Sequence, residues 1–262
     1  MPAAEIPSID LTVFSSEQHG SVEARTAVAA ALNDAAEQVG FFYVSLPGLA
    51  EAADRLLDRC CEFHAQPTAV KQAVSNELSP MRRGYNATWE TETGSCAAKP
   101  GLEPPDPKEV FMLGSEGDAS PMHGPNLWPD EFALPGWREA VERDTAVMLH
   151  GARCLAVALA AALGEPEGTF DEAMREPPTV LILLRYDPSK LKMGSSTGCG
   201  AHTDCGFLTF LAQQPGSAPV QVQRGALGAG KEHLAGASDV DEEAWVVPAC
   251  PVGMAPHPNA AE

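Results

Sequence analysis

Basic side chains are scarce in this chain: 17 Lys and Arg stand against 36 Asp and Glu, a formal net charge of −19. So few cations argue against a nucleic-acid partner and against an anionic membrane surface, since both are held by positive charge. The carboxylates serve solubility first. No uninterrupted apolar run reaches the length of a membrane span, and the start Met1-Pro2-Ala3-Ala4-Glu5 lacks a basic region followed by an apolar one. The expectation is a cytoplasmic protein. C-x-x-C pairs are absent, and seven cysteines, an odd number, suit neither a disulfide framework nor a zinc knuckle. They read as reduced, mostly buried thiols.

What is present is enough for one large core: 262 residues, 44% of them hydrophobic. Ile6 to Leu11 alternates as a short strand that Pro7 keeps at a sheet edge. Ser21 to Val39 reads as a helix with Val28, Ala31, Leu32, Ala35 and Val39 on one face and Gly40 as its cap. Phe41 to Leu46 is a strand stopped by Pro47-Gly48. A second helix fits Ala50 to His64, with His64 in a capping or surface role, and Pro67 starts a third that ends near Asn76.

Residues 79 to 130 are rich in Pro and Gly and read as an irregular crossing with short strands near Arg83-Gly84-Tyr85 and Val110 to Leu113. The longest helix spans Trp137 to Leu163 and ends at Gly164, with His150 at its core or boundary. Thr179 to Tyr186 is a continuous apolar run, as in a strand buried on both sides. Gly225 to Glu243 reads as a mobile loop, between strands at Val220 to Gln223 and Ala244 to Pro248.

The chemistry centres on Gly200-Ala201-His202-Thr203-Asp204-Cys205-Gly206-Phe207-Leu208-Thr209. If this stretch is a strand, His202 and Asp204 point to one face and a single borderline cation touches both. Such a pair, with a second His, makes the facial triad of non-heme Fe(II) oxygenases, which leaves positions open for cosubstrate and oxygen. The tripeptide alone is weak: with seven His and thirteen Asp, H-x-D arises by chance in roughly one such chain in three. The loop Gly194 to Gly200 lacks the closing Lys-Ser/Thr of a phosphate cradle.

Context makes the motif specific. Ile6-Pro7-Ser8-Ile9-Asp10-Leu11, Gly40-Phe41-Phe42-Tyr43-Val44 with Pro47-Gly48-Leu49, Arg83-Gly84-Tyr85, Lys108-Glu109-Val110-Phe111, Gly124-Pro125-Asn126-Leu127-Trp128-Pro129 and Leu184-Arg185-Tyr186 precede the dyad in order. Together they resemble the isopenicillin N synthase-like family of Fe(II)- and 2-oxoglutarate-dependent dioxygenases, from about residue 6 to about Val252. Pro47 stands where the family has His. The resemblance implies a mainly β fold with helices: a double-stranded β-helix, or jelly roll, behind an N-terminal α/β extension.

The implied divisions are an extension over 1–136, a partial jelly-roll core with its long supporting helix over 137–252, and a divergent tail over 253–262. The resemblance further implies Fe(II) on His202 and Asp204, a 2-oxoglutarate carboxylate held by Tyr186, and O2. The reaction would be hydroxylation, desaturation or oxidative cyclisation of a small molecule.

The family pattern continues to a distal His in H-R-V and an Arg in R-x-S, and neither string occurs in these 262 residues. His257 lies 53 residues after Asp204, but Pro256 and Pro258 flank it, unlike a strand interior. The expectation is therefore a C-terminally incomplete jelly roll that lacks the distal His and the cosubstrate Arg. From it follows an alternative, a catalytically inactive product that acts by binding a partner.

Overall fold

The computed structural model describes residues 6–15, 20–87, 108–186, 204, 206–215 and 217, and the backbone of 223–224, 232–233 and 245–248. Two compact units share the chain. One comprises Met1–Asp54, Val147–Met174 and Asp204–Glu262; the other comprises Arg55–Ala146 and Arg175–Thr203.

In the first unit, β1 (Ser8–Asp10) lies parallel to β2 (Phe41–Ser45), which pairs antiparallel with β8 (Trp245–Pro248). β1 is the outer strand, as Pro7 requires: its ring nitrogen donates nothing, while its carbonyl accepts from Tyr43 N at 2.8 Å. Helix α1 (Val22–Gln38) starts where the Ser21 hydroxyl accepts from Ala24 N at 3.2 Å. It ends where Gly40, at φ 78°, bonds back to Ala35 O at 2.9 Å.

The buried face of α1 is Ala29, Leu32, Ala35 and Ala36, with Ala31 exposed. It is turned from the expected face because an alanine-rich helix offers little size contrast from which to read one. The unit also holds β6 (Gln223–Arg224) and β7 (Glu232–His233), an antiparallel pair. β7 lies within the segment expected to be loop throughout.

The second unit is built on the antiparallel sheet β3-β4-β5, with β3 Gly84–Asn86, β4 Lys108–Gly114 and β5 Val180–Tyr186. Helix α2 (Leu49–His64) contributes its part from Arg55 onward and the long helix α4 (Trp137–Ala162) its part up to Ala146. Helix α3 (Thr68–Gln72) follows Pro67. Phe63 of α2 is fully buried against Phe111 of β4 and Trp137 of α4, at ring-centroid distances of 4.2 and 5.9 Å.

The Arg83 guanidinium donates to the carbonyls of Ser115, Met122 and Gly124 and to Asn126 Oδ1, tying the irregular crossing to the sheet. By length and composition α4 is long and apolar enough to cross a membrane, as a core helix also is. It buries Trp137, Val141, Leu155 and Leu159 in the fold.

Candidate functional site

Of the three residues expected to hold iron and cosubstrate, two are described. Asp204 is exposed and stands outside any strand, and residues 206–211 show only single bridge positions at Leu208 and Leu211. The strand expected to carry the dyad is therefore not formed at Asp204. His202 lies outside the described residues, as do the loop 194–200 and His257. Among the described residues no three His, Cys, Asp or Glu side chains are placed so that they could hold a metal ion.

Tyr186 is the last residue of β5. Strand alternation puts it on one face with Val180, Ile182 and Leu184, opposite Leu181, Leu183 and Arg185. The exposures of that first row are 52% for Val180, 42% for Ile182, 38% for Leu184 and 38% for Tyr186, whereas Leu183 is buried. β5 is thus covered on one face only, not on both as its unbroken apolar run suggests. A run of aliphatics marks a strand but does not tell a packed face from an open one.

On the covered face the sheet carries a carboxylate. Glu109 of β4 accepts from Lys71 Nζ at 3.2 and 3.1 Å, from Tyr85 OH at 3.0 Å and from Arg185 Nη1 at 3.3 Å. His64 closes the cluster, with Nδ1 3.3 Å from Glu109 Oε2 and Nε2 3.1 Å from the Leu183 carbonyl. Burial works to raise the Glu109 pKa, but the hydrogen bonds from Lys71 and Tyr85 and the Lys71 charge outweigh it and hold the carboxyl below its ordinary value. Burial lowers His64, against the Leu183 bond and the Glu109 charge.

The hydrogen bond to Leu183 assigns the neutral ring's proton to Nε2, because Nδ1 has no partner in hydrogen-bonding geometry. His64 was expected to cap the helix or lie at the surface. It does end α2 but is buried, where its Nε2 finds the Leu183 carbonyl under the sheet.

Sequence reasoning passed over Glu109 as a site residue. One clue was available: alternation along Lys108-Glu109-Val110-Phe111 puts the carboxylate on the same face as the buried Phe111. Nearby, the Cys60 thiol donates to the Leu184 carbonyl at 3.5 Å, and burial pushes its pKa up to about 12. Such a thiol stays protonated.

Residues 6–131 match the family described as non-haem dioxygenase in morphine synthesis, N-terminal. The 2-oxoglutarate-dependent dioxygenase caaD of Aspergillus niger is 30% identical over 226 residues, 85% of this chain and 68% of that protein. The 2-oxoglutarate-dependent dioxygenase eupC of a Phoma species is 32% identical over 234 residues, 84% of this chain and 72% of that protein.

The chain belongs to the isopenicillin N synthase-like family of Fe(II)/2-oxoglutarate-dependent dioxygenases. Its members are oxidoreductases that act on small molecules with iron and 2-oxoglutarate. Among solved structures, a full-length Neurospora crassa protein in complex with alpha-KG and thymine superposes with a TM-score of 0.72 at 23% identity, covering 95% of this chain and 74% of that one. This likeness speaks for the fold, that of the 2-oxoglutarate oxygenases with their double-stranded β-helix. The described residues represent it by small sheets beside helices.

Proposed function

We propose that this chain is an Fe(II)- and 2-oxoglutarate-dependent oxidoreductase that hydroxylates, desaturates or oxidatively cyclises a small molecule. The observation that carries the reading is the His202-Thr203-Asp204 dyad in a chain of this family. The donor set suits the metal: an imidazole and a carboxylate bind Fe(II) and leave positions open for other ligands, and the Asp204 side chain is exposed. His202 and Asp204 would hold the iron, which when bound supplies the oxygen-dependent decarboxylation of 2-oxoglutarate that drives substrate oxidation.

Tyr186 would donate its phenolic proton to a 2-oxoglutarate carboxylate and so orient the cosubstrate. Val180, Ile182 and Leu184 continue its face as an aliphatic row, a surface for the uncharged part of the small molecule.

Anaerobic titration with Fe(II) tests the ligand assignment. Replacing His202 or Asp204 by Ala should weaken iron binding at least about tenfold, as loss of even an outer partner of a metal does. Unchanged affinity in both variants would remove the two residues from the site. Tyr186→Phe should weaken 2-oxoglutarate about tenfold or more, the cost of one hydrogen bond to a charged group, while iron affinity is retained.

A further inference from the structure

Three consecutive residues before Tyr186 are held from the covered side of the sheet. The Leu183 carbonyl accepts from His64 Nε2, the Leu184 carbonyl accepts from Cys60 Sγ, and Arg185 Nη1 donates to Glu109 Oε2. His64 and Arg185 converge on Glu109, and that carboxylate is itself fixed by Lys71 and Tyr85. One side chain of β4 thereby connects α3, β3 and the end of β5.

β5 depends on such fastening because it is an outer strand, paired with β4 alone among the described residues. A strand end bonded on one side is where a sheet opens first. Around Glu109 the same face is apolar, with Phe111, Leu113 and Leu183. An aliphatic residue at 109 would fill that face but leave the buried Lys71 ammonium without its carboxylate. A carboxylate supplies directional bonds to several elements instead.

We propose that Glu109 is a positioning residue: by holding Arg185 it fixes the C-terminal end of β5 and so sets where Tyr186 stands. The proposal rests on the reading of Tyr186 as the cosubstrate contact. Glu109 touches no ligand in this account. It acts through the backbone of Leu183 to Tyr186.

The test uses the full chain loaded with Mn(II) in place of iron, so that nothing turns over, and compares wild type with Glu109→Gln. That variant keeps the shape and one acceptor oxygen but offers Arg185 and Lys71 no carboxylate. Amide hydrogen exchange should accelerate about tenfold or more at Arg185 and Tyr186 while Val180 to Ile182 change little. Titrated 2-oxoglutarate should bind about tenfold more weakly, with Mn(II) affinity retained.

Uniform acceleration along β5, or none, overturns the proposal by making Glu109 a general stabiliser. Local acceleration with unaltered 2-oxoglutarate affinity overturns the link to Tyr186. Should Glu109→Gln fail to fold, Arg185→Gln leaves the Lys71–Glu109 pair intact, and the same local loss is expected. Wild-type protein that binds Mn(II) but no 2-oxoglutarate contradicts the cosubstrate role of Tyr186, and the exchange pattern then decides separately whether Glu109 fixes the strand end.

Discussion

At His64 both ring nitrogens face oxygen, yet a neutral imidazole donates only one proton, and burial keeps this ring from taking a second. Because its folded pKa lies below the ordinary 6.5, the unfolded chain binds the proton first, and stability is lost as pH drops below that value. Glu109 and Asp144 are carboxylates held below their ordinary 4.5 and 3.8. Their contribution is complete above those values and is lost as pH falls through the folded ones.

Both effects have the same sign. Urea midpoints should therefore fall in two stages, through His64 below about pH 6.5 and through the carboxylates below about pH 4.5, and His64→Gln should flatten the first. A midpoint that rises on acidification would contradict the assignment.

Gly84 makes a second point at this scale. It holds φ 113°, and a Cβ there would collide with the Val74 carbonyl that accepts from Tyr85 N. Gly84→Ala should cost more than about 1 kcal/mol in equilibrium unfolding, since Ala where φ is positive loses more than the chain-entropy gain. The block Arg83-Gly84-Tyr85 was legible in the sequence, but its cause was not. The Val74 carbonyl lies ten residues away in sequence, and nothing local announces it.

Among elements, the helices were legible and the sheet faces were not. Ser21, Gly40, Pro67 and Gly164 each stand within a residue or two of a helix end, but α3 stops at Gln72, four residues short of the end expected near Asn76. β5 was found with its bounds nearly right, but its open face was hidden, because Val180, Ile182 and Leu184 look the same in sequence whether covered or bare.

The Glu109 cluster was illegible for another reason. Its members at 64, 71, 85, 109 and 185 come from five elements with no shared period. The aromatic layer beneath the sheet has the corresponding energetic consequence. Phe63→Ala should destabilise the second unit by about 3–5 kcal/mol, because Phe63 is fully buried among Phe111, Trp137 and Tyr85. Chemical denaturation checks it, and a loss below about 1 kcal/mol would mean the layer is not tightly packed.

For the molecule as a whole, six short blocks in order were enough to name the family, and relatives at 30% and 32% identity bear it out. The iron dyad was legible as a motif only, since His202 lies outside the described residues. The central claim is that this chain couples iron and 2-oxoglutarate to oxidation. It is tested most directly by following succinate release from 2-oxoglutarate in air after anaerobic loading with Fe(II). The account predicts iron-dependent succinate from the wild-type chain and a loss of at least about tenfold in His202→Ala; equal rates in the two proteins, or none above the protein-free background, would contradict it.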